Sequence, residues 1–284
     1  MPAEILDGRA LAAELRIDAR ARSDALRARG IVPSLAVMLV GEDAPSMAYV
    51  QSLVKVGASV GIEVTRIDVD GGAGVAQVRA RLEALGRDPA VHGVILQQPL
   101  PKHLDIREIA DAVPSGKDVD GANPANAGRL AFGTGTTFAP ATPAAVMLLL
   151  ARSSRRELRG VRACVVGRSS VVGLPVALLL LRESATVTVT HRGTADLAHH
   201  TRDAEVLVAA TGIPGMIGAG LVRPGATVID VGTTYVDGKI TGDVAYAEVA
   251  EIAREITPVP GGVGPVTNVA LMRNVLTAAE NGGP

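Results

Sequence analysis

The stretch Arg162-Ala-Cys164-Val-Val166-Gly167-Arg168-Ser169-Ser170-Val171-Val172-Gly173, continued by the apolar run Leu-Pro-Val-Ala-Leu-Leu-Leu-Leu181, decides the fold of this chain. It reads as a short buried strand, a glycine-bounded turn and an apolar helix. Glycines at such a turn let backbone N–H groups approach a pyrophosphate that sits at the positive end of the helix. The spacing is longer than GxGxxG, so the strand before and the helix after carry the assignment. Strand-like runs follow at Thr186 to Thr190, Val206 to Ala209 and Thr227 to Val231, which predicts a doubly wound, Rossmann-like parallel sheet. Cys164 reads as a small buried strand residue.

The second strand of this unit ends in Thr190-His191-Arg192-Gly193-Thr194, where an NAD-binding site would place a carboxylate on the ribose. No acid stands there. Arg168 and Arg192 can give charge-assisted hydrogen bonds to a 2′-phosphate, with His191 and Thr194 beside them, so NADP is favoured over NAD. The predicted cofactor-contacting set is Gly167, Arg168, Ser169, Gly173, His191, Arg192, Thr194, Gly212 and Thr233. The last two lie in Thr211-Gly212-Ile213-Pro214 and Val231-Gly232-Thr233, at strand ends where open α/β sheets bind ligands.

Upstream, an amphipathic helix from about Arg9 to Arg29 precedes apolar runs at Leu35 to Val40, Ile62 to Val69 and Val91 to Gln97. These alternate with helical patterns near Pro45 to Ser59, Val75 to Leu85 and Asp105 to Ala112. The order βαβαβα predicts a second α/β domain with a parallel sheet. Gly121 to Pro143, rich in Gly, Asn, Thr, Pro and Ala, reads as the boundary, with a helix from about Pro143 to Arg152 crossing it. Residues 1–140 are therefore expected to form an N-terminal domain and 141–264 a dinucleotide-binding domain, with 265–284 packing back on the first.

Composition narrows the function classes. The 284 residues are 48% hydrophobic, with 28 basic and 29 acidic side chains and a net charge of −1. That balance offers no broad field for nucleic acid or an anionic membrane, so a phosphate-bearing ligand needs a local site. A single cysteine cannot close an intramolecular disulfide, and no apolar run approaches the roughly 18 residues of a membrane span. With acidic residues through the first 24 positions, the cytoplasm is the expected compartment. His92, His103, His199 and His200 show no metal-binding spacing, and no metal is expected.

Five motifs of the chain, taken together, resemble the methylenetetrahydrofolate dehydrogenase/cyclohydrolase (FolD) family. They are Tyr49-Val-Gln-Ser-Leu53-Val-Lys55, Leu96-Gln97-Gln98-Pro99-Leu100-Pro101, Lys117-Asp-Val-Asp120-Gly121, the Gly167–Gly173 turn, and Ile256-Thr-Pro-Val-Pro260-Gly261-Gly262-Val263-Gly264-Pro265. The resemblance runs from about Ile5 to the last helix. It implies a folate substrate in a cleft between two domains and, usually, a homodimer. Tyr49 would stack on the folate, Asp120 would accept from donors of the pterin edge, and Pro260, Gly261, Gly262, Val263 and Gly264 would line the same cleft with Leu53, Leu96, Gln97 and Gln98. It also implies that the Thr211–Pro214 and Val231–Thr233 loops contact the cofactor, although many members have isoleucine where this chain has Thr233.

In that family the residue four after the tyrosine is the lysine of the cyclohydrolase step, assisted by the glutamine matched by Gln97. Here it is Leu53. The twelve residues from Tyr49 to Gly61 hold the register. Lys55, about 200° further round an ideal helix, matches the family's second, non-catalytic lysine. Of the remaining lysines, Lys117 belongs to the ordinary KDVDG motif, Lys102 follows the Gln97 loop and Lys239 lies in the cofactor domain. Hydride transfer from the one-carbon bridge relies chiefly on positioning, whereas hydrolysis of the methenyl product needs water activated and a ring nitrogen protonated. The expectation is an NADP-dependent dehydrogenase with cyclohydrolase activity absent or strongly reduced. Three alternatives stand beside it: a bifunctional enzyme with a compensated site, a catalytically silent folate- or nucleotide-binding regulator, and a dehydrogenase of another small substrate.

Overall fold

A computed structural model describes residues 2–135 and 138–282. It divides into two compact units: Thr142–Thr267 together with the opening segment up to Ala13, and Glu14–Ala141 together with the chain from Asn268 onward. Both are α/β, as the alternating apolar runs require.

In the second of these units, β2 (Ser34–Val40) is the centre of a three-stranded parallel sheet, flanked by β3 (Glu63–Val69) and β4 (Gly93–Leu96). β2 is buried almost throughout because it is covered on both faces, and its continuous apolar sequence reflects that. The helices are α2 (Ala44–Ser59), α3 (Val75–Arg87), α4 (Pro124–Phe132) and the greater part of α1 (Gly8–Ala28) and α9 (Val263–Gly282), whose first residues belong to the other unit. Asp43 caps α2 by accepting from the Ser46 N–H at 2.9 Å, with Pro45 in the first turn where its missing donor costs nothing. Gly57 on α2 packs so closely on β3 that an added Cβ would stand 2.4 Å from Val64 Cγ2.

The other unit carries a six-stranded parallel sheet in the order β1 (Glu4–Ile5), β11 (Glu255–Ile256), β8 (Thr227–Asp230), β7 (Val206–Ala209), β5 (Arg162–Val166), β6 (Thr186–Thr190). Around it lie α5 (Ala141–Leu150), α6 (Gly173–Arg182), α7 (Leu197–Thr201) and α8 (Tyr246–Val249), with a small hairpin of β9 (Thr234–Val236) and β10 (Lys239–Thr241). Leu207, Val228, Ile256 and Ile217, all fully buried, form part of its core.

Four features differ from the sequence expectation. The opening residues do not stay with the first domain, because Glu4–Ile5 pairs in parallel with Glu255–Ile256. The helix expected at Asp105 to Ala112 is two 3-10 turns, Ile106–Glu108 and Ala110–Ala112; the stretch ends at Pro114, too short for a cooperative helix. The boundary segment contains α4, and the crossing helix begins two residues early, at Ala141. The last helix begins at Val263, so Val263 and Gly264 belong to its first turn, where Pro265 is tolerated.

The start of α4 rests on Asn123, whose side-chain carbonyl accepts from Ala125 N–H at 2.8 Å while its amide donates to the Val113 carbonyl at 2.7 Å. Both bonds are buried from solvent or nearly so. Asn123→Ala is expected to lower unfolding free energy by roughly 1–3 kcal/mol. This would read out as a lower urea midpoint at constant slope, and an unchanged midpoint would contradict the cap.

Candidate functional site

The folate-side residues are held in the smaller-sheet unit by α2, the end of β4 and the Lys117–Ala122 loop. Tyr49 and Leu53 lie one helical turn apart on α2. Tyr49 is half-buried, whereas Leu53 is 0% exposed. Burial, with the Asp120 charge adding to it, holds the Tyr49 hydroxyl well above its ordinary range, so it stays a phenol. Burial likewise raises the Asp120 carboxyl to about 6; the Ala141 N–H, 3.4 Å away, opposes this, and the nearby Asp118 charge reinforces it. No cation enters either balance.

Asp120 is placed by an unusually well-bonded loop. The Asp118 carboxylate accepts from Ala122 N–H at 2.9 Å, Asn123 N–H at 2.8 Å and the Asn126 amide at 2.8 Å. On α9, the Asn274 amide donates to Val119 O at 2.8 Å and Ala139 O at 2.9 Å, clamping the loop from the other side. Gly121 has φ +67°, and a Cβ there would stand 2.8 Å from Phe138 O. The sequence motifs assign no role to Asp118 or Asn274. Asp118 is visible within KDVDG, but the contact from Asn274 spans more than 130 residues and leaves no local signal.

Gln97 follows the buried Leu96, and its amide donates to Gln98 O at 2.6 Å, leaving the side-chain oxygen as an acceptor. Gln98 is exposed. Among the lysines, Lys55 and Lys102 are exposed, and Lys117 donates to Asp88 O at 2.6 Å. No described lysine shares a hydrogen bond with Tyr49, Gln97 or Asp120. Pro260 to Gly264 belong to the other unit, as the turn before α9 and its first residues. There Gly261 and Gly262 are buried; a Cβ on Gly8 would stand 1.7 Å from Gly262 O.

The six-stranded unit brings the predicted dinucleotide residues to the carboxyl ends of β5, β6, β7 and β8. Gly167 has φ +127°, and a Cβ on it would lie 2.1 Å from Ala210 O. Gly173 is equally constrained, its virtual Cβ lying 2.1 Å from Gly167 O. Ser169 Oγ accepts from Val172 N–H at 3.1 Å and Gly173 N–H at 3.3 Å, shaping the entry to α6. Among the described residues none accepts from the N–H groups of Arg168, Ser169, Ser170 or Val171. That leaves a row of free donors before a helix N-terminus, an arrangement suited to an anion.

Arg168 and Arg192 are exposed, without ion-pair partners among the described residues. The loop carrying Arg192 is shaped by His191 N–H donating to Thr194 Oγ1 at 3.0 Å and Gly193 N–H donating to His191 Nδ1 at 3.1 Å. Gly212 and Thr233 are exposed at the ends of β7 and β8. The close-packed glycines, free amides and unpaired guanidiniums fit a phosphorylated dinucleotide. No cluster of potential metal ligands occurs among the described residues, and no described helix is long and apolar enough to cross a membrane.

Comparison with known proteins agrees with this geometry. Residues 6–120 match the catalytic domain of tetrahydrofolate dehydrogenase/cyclohydrolase, and residues 140–282 match the NAD(P)-binding domain of the same family. A bifunctional FolD protein of Acidovorax ebreus is 47% identical over 281 residues, covering 99% of each chain. The crystal structure of the bifunctional dehydrogenase/cyclohydrolase FolD from Campylobacter jejuni superposes with a TM-score of 0.96 at 38% identity, covering 98% of this chain and 99% of that one. The FolD of Trypanosoma brucei, complexed with NADP and an inhibitor, superposes with a TM-score of 0.93 at 35% identity, covering 99% of this chain and 98% of that one. With both halves matched in order and nearly the whole length aligned, the chain belongs to the tetrahydrofolate dehydrogenase/cyclohydrolase family.

Proposed function

We propose that the protein is an NADP-dependent 5,10-methylenetetrahydrofolate dehydrogenase whose cyclohydrolase activity is absent or severely reduced. The observation that carries the second half is Leu53, fully buried one turn from Tyr49 at the position where the family pattern has its lysine. An aliphatic side chain neither gives nor takes a proton. Relatives with both activities in their names support the first half directly and leave the second resting on chemistry.

NADP, when bound, accepts hydride from the one-carbon bridge of the folate. Its phosphates would be held by the free amides of Arg168 to Val171 and the α6 N-terminus, and its 2′-phosphate by Arg168 and Arg192, with His191 and Thr194 shaping that loop. Gly212 and Thr233 would border the remainder. On the folate side, the Asp120 carboxylate accepts hydrogen bonds from the pterin edge, Tyr49 covers the ring, and Leu53 excludes water. Substrate nitrogen stabilises the cation left by hydride departure, so positioning is the main demand on these residues. Ring opening makes a different demand, and Gln97 alone carries no titrating group to meet it. A homodimer, usual in the family, is part of the proposal.

Formation of NADPH from methylenetetrahydrofolate and NADP tests the dehydrogenase directly, and a purified parent protein that forms none would remove it. Gly167→Ala is expected to abolish that turnover, because the new Cβ would collide with the Ala210 carbonyl at 2.1 Å. Retention of full affinity for NADP by this variant would place the dinucleotide elsewhere.

Leu53→Lys is expected to gain methenyltetrahydrofolate hydrolysis by up to about 10²- to 10⁴-fold, the range that a positioned acid/base contributes. It also introduces a cation one helical turn from Tyr49, the residue that the Asp120 charge reaches. The raised Asp120 value means its proton is retained up to pH about 6, so the folate KM of the parent should rise as pH falls through that region. A cation at position 53 favours the carboxylate and should move this acid limb to lower pH. No displacement of the limb, with the variant folded, would separate position 53 from Asp120.

A further inference from the structure

The two predicted cofactor loops, after β7 and after β8, are tied to a pair of buried carboxylates to which the sequence motifs assign no role. Asp243 is 0% exposed and Asp230 is 3% exposed. Asp243 Oδ2 accepts from Thr211 N–H at 2.5 Å and Gly212 N–H at 3.0 Å, fixing the loop after β7. Asp230 Oδ1 accepts from Gly232 N–H at 2.9 Å, fixing the loop after β8. The carboxylates are themselves coupled: Asp230 Oδ1 accepts from Asp243 N–H at 2.9 Å and Oδ2 accepts from Val244 N–H at 3.0 Å.

Steric fit around the pair is close. A Cβ on Gly242 would stand 2.0 Å from Asp230 Oδ2, and a Cβ on Gly232 would stand 2.3 Å from Asp243 Oδ1. That second oxygen, Asp243 Oδ1, is buried with no hydrogen-bond partner among the described residues, and no described lysine or arginine pairs with either acid. Keeping an unpaired carboxylate oxygen out of water is costly, and a neutral core residue of similar size would avoid it. What the acid provides in return is a single acceptor gripping two successive N–H groups of one loop while its own backbone is gripped by the acid under the next.

We propose that Asp243, anchored by Asp230, is the positioning residue of the dinucleotide site, setting the Thr211–Gly212 and Gly232–Thr233 loops in register so that their exposed edges meet the cofactor. This rests on the reading of those loops as cofactor loops. The carboxylates touch backbone only and act through it. Such a role affects dinucleotide affinity and hydride geometry, and leaves the folate-side residues of the other unit alone.

The test compares the parent with Asp243→Ala, Asp243→Asn and Gly232→Ala, using NADPH fluorescence titration, steady-state kinetics and thermal unfolding. Parent protein that binds no NADPH would overturn the reading of the site itself. Given parent binding, Asp243→Ala is expected to weaken NADP at least tenfold in Kd and KM while changing the folate KM less than twofold. Asp243→Asn, whose side-chain oxygen still accepts from Thr211 and Gly212, should recover most of that loss. Gly232→Ala, which keeps the acid but drives a methyl into it, should reproduce the loss, and it serves alone if Asp243→Ala does not fold. Dinucleotide affinity within twofold of the parent in a folded Asp243→Ala or Gly232→Ala, or equal loss of folate and NADP affinity, would contradict the proposal.

Discussion

Tyr49 and Asp120, a phenol and a carboxyl group, share a poorly hydrated patch of the smaller-sheet unit, and no cation offsets the burial of either. Burial lifts both groups, and nothing basic among the described residues brings them down again. Such a site can still bind a flat, donor-rich heterocycle, since an acceptor and an aromatic face are in place. Leu53 itself can neither give nor take a proton, whereas the Asp120 carboxyl, raised to about 6, titrates near neutrality. Binding and hydride transfer depend on shape and fixed dipoles, and hydrolysis depends on a titrating side chain, so the proposed separation of the two activities turns on position 53.

Around these groups, buried polar side chains are directed at loops. Asp118 and Asn274 fix the segment that presents Asp120, and Asp230 and Asp243 fix the segments proposed to border the dinucleotide. In each case a buried or partly buried polar side chain accepts from or donates to main chain, so that the residue one or two positions away is held without touching the support itself. Rigid placement of this kind is what a reaction driven by orientation requires. At Gly232 the supporting Asp243 lies where a Cβ would be, and at Gly121, Gly167 and Gly173 a backbone carbonyl of a packed segment does.

Most strands are legible from composition alone. Arg162–Val166, Thr186–Thr190 and Val206–Ala209 are runs dominated by β-branched and apolar residues, and their limits agree with the structure to the residue. Two-residue strands such as Glu4–Ile5 and Glu255–Ile256 have no period to read; they exist because the sheet edge supplies partners. Helix α4 carries its own signals, Asn123-Pro124 at the start and Gly133 in the left-handed region at the end, but its glycine- and alanine-rich interior obscures them. The residues expected to contact ligand stand in recognisable motifs. The residues that hold those motifs in place, Asn274 and Asp243 above all, act across long sequence separations and are legible only in three dimensions.

The most direct measurement of the central claim follows the decay of methenyltetrahydrofolate absorbance with and without purified parent protein, at a pH where spontaneous opening is slow, beside the NADP-linked oxidation rate of the same preparation. The account predicts decay indistinguishable from buffer, or slower than oxidation by about two orders of magnitude or more. Decay at a rate comparable to oxidation would mean that another group performs the proton transfers, and that Leu53 does not separate the two activities.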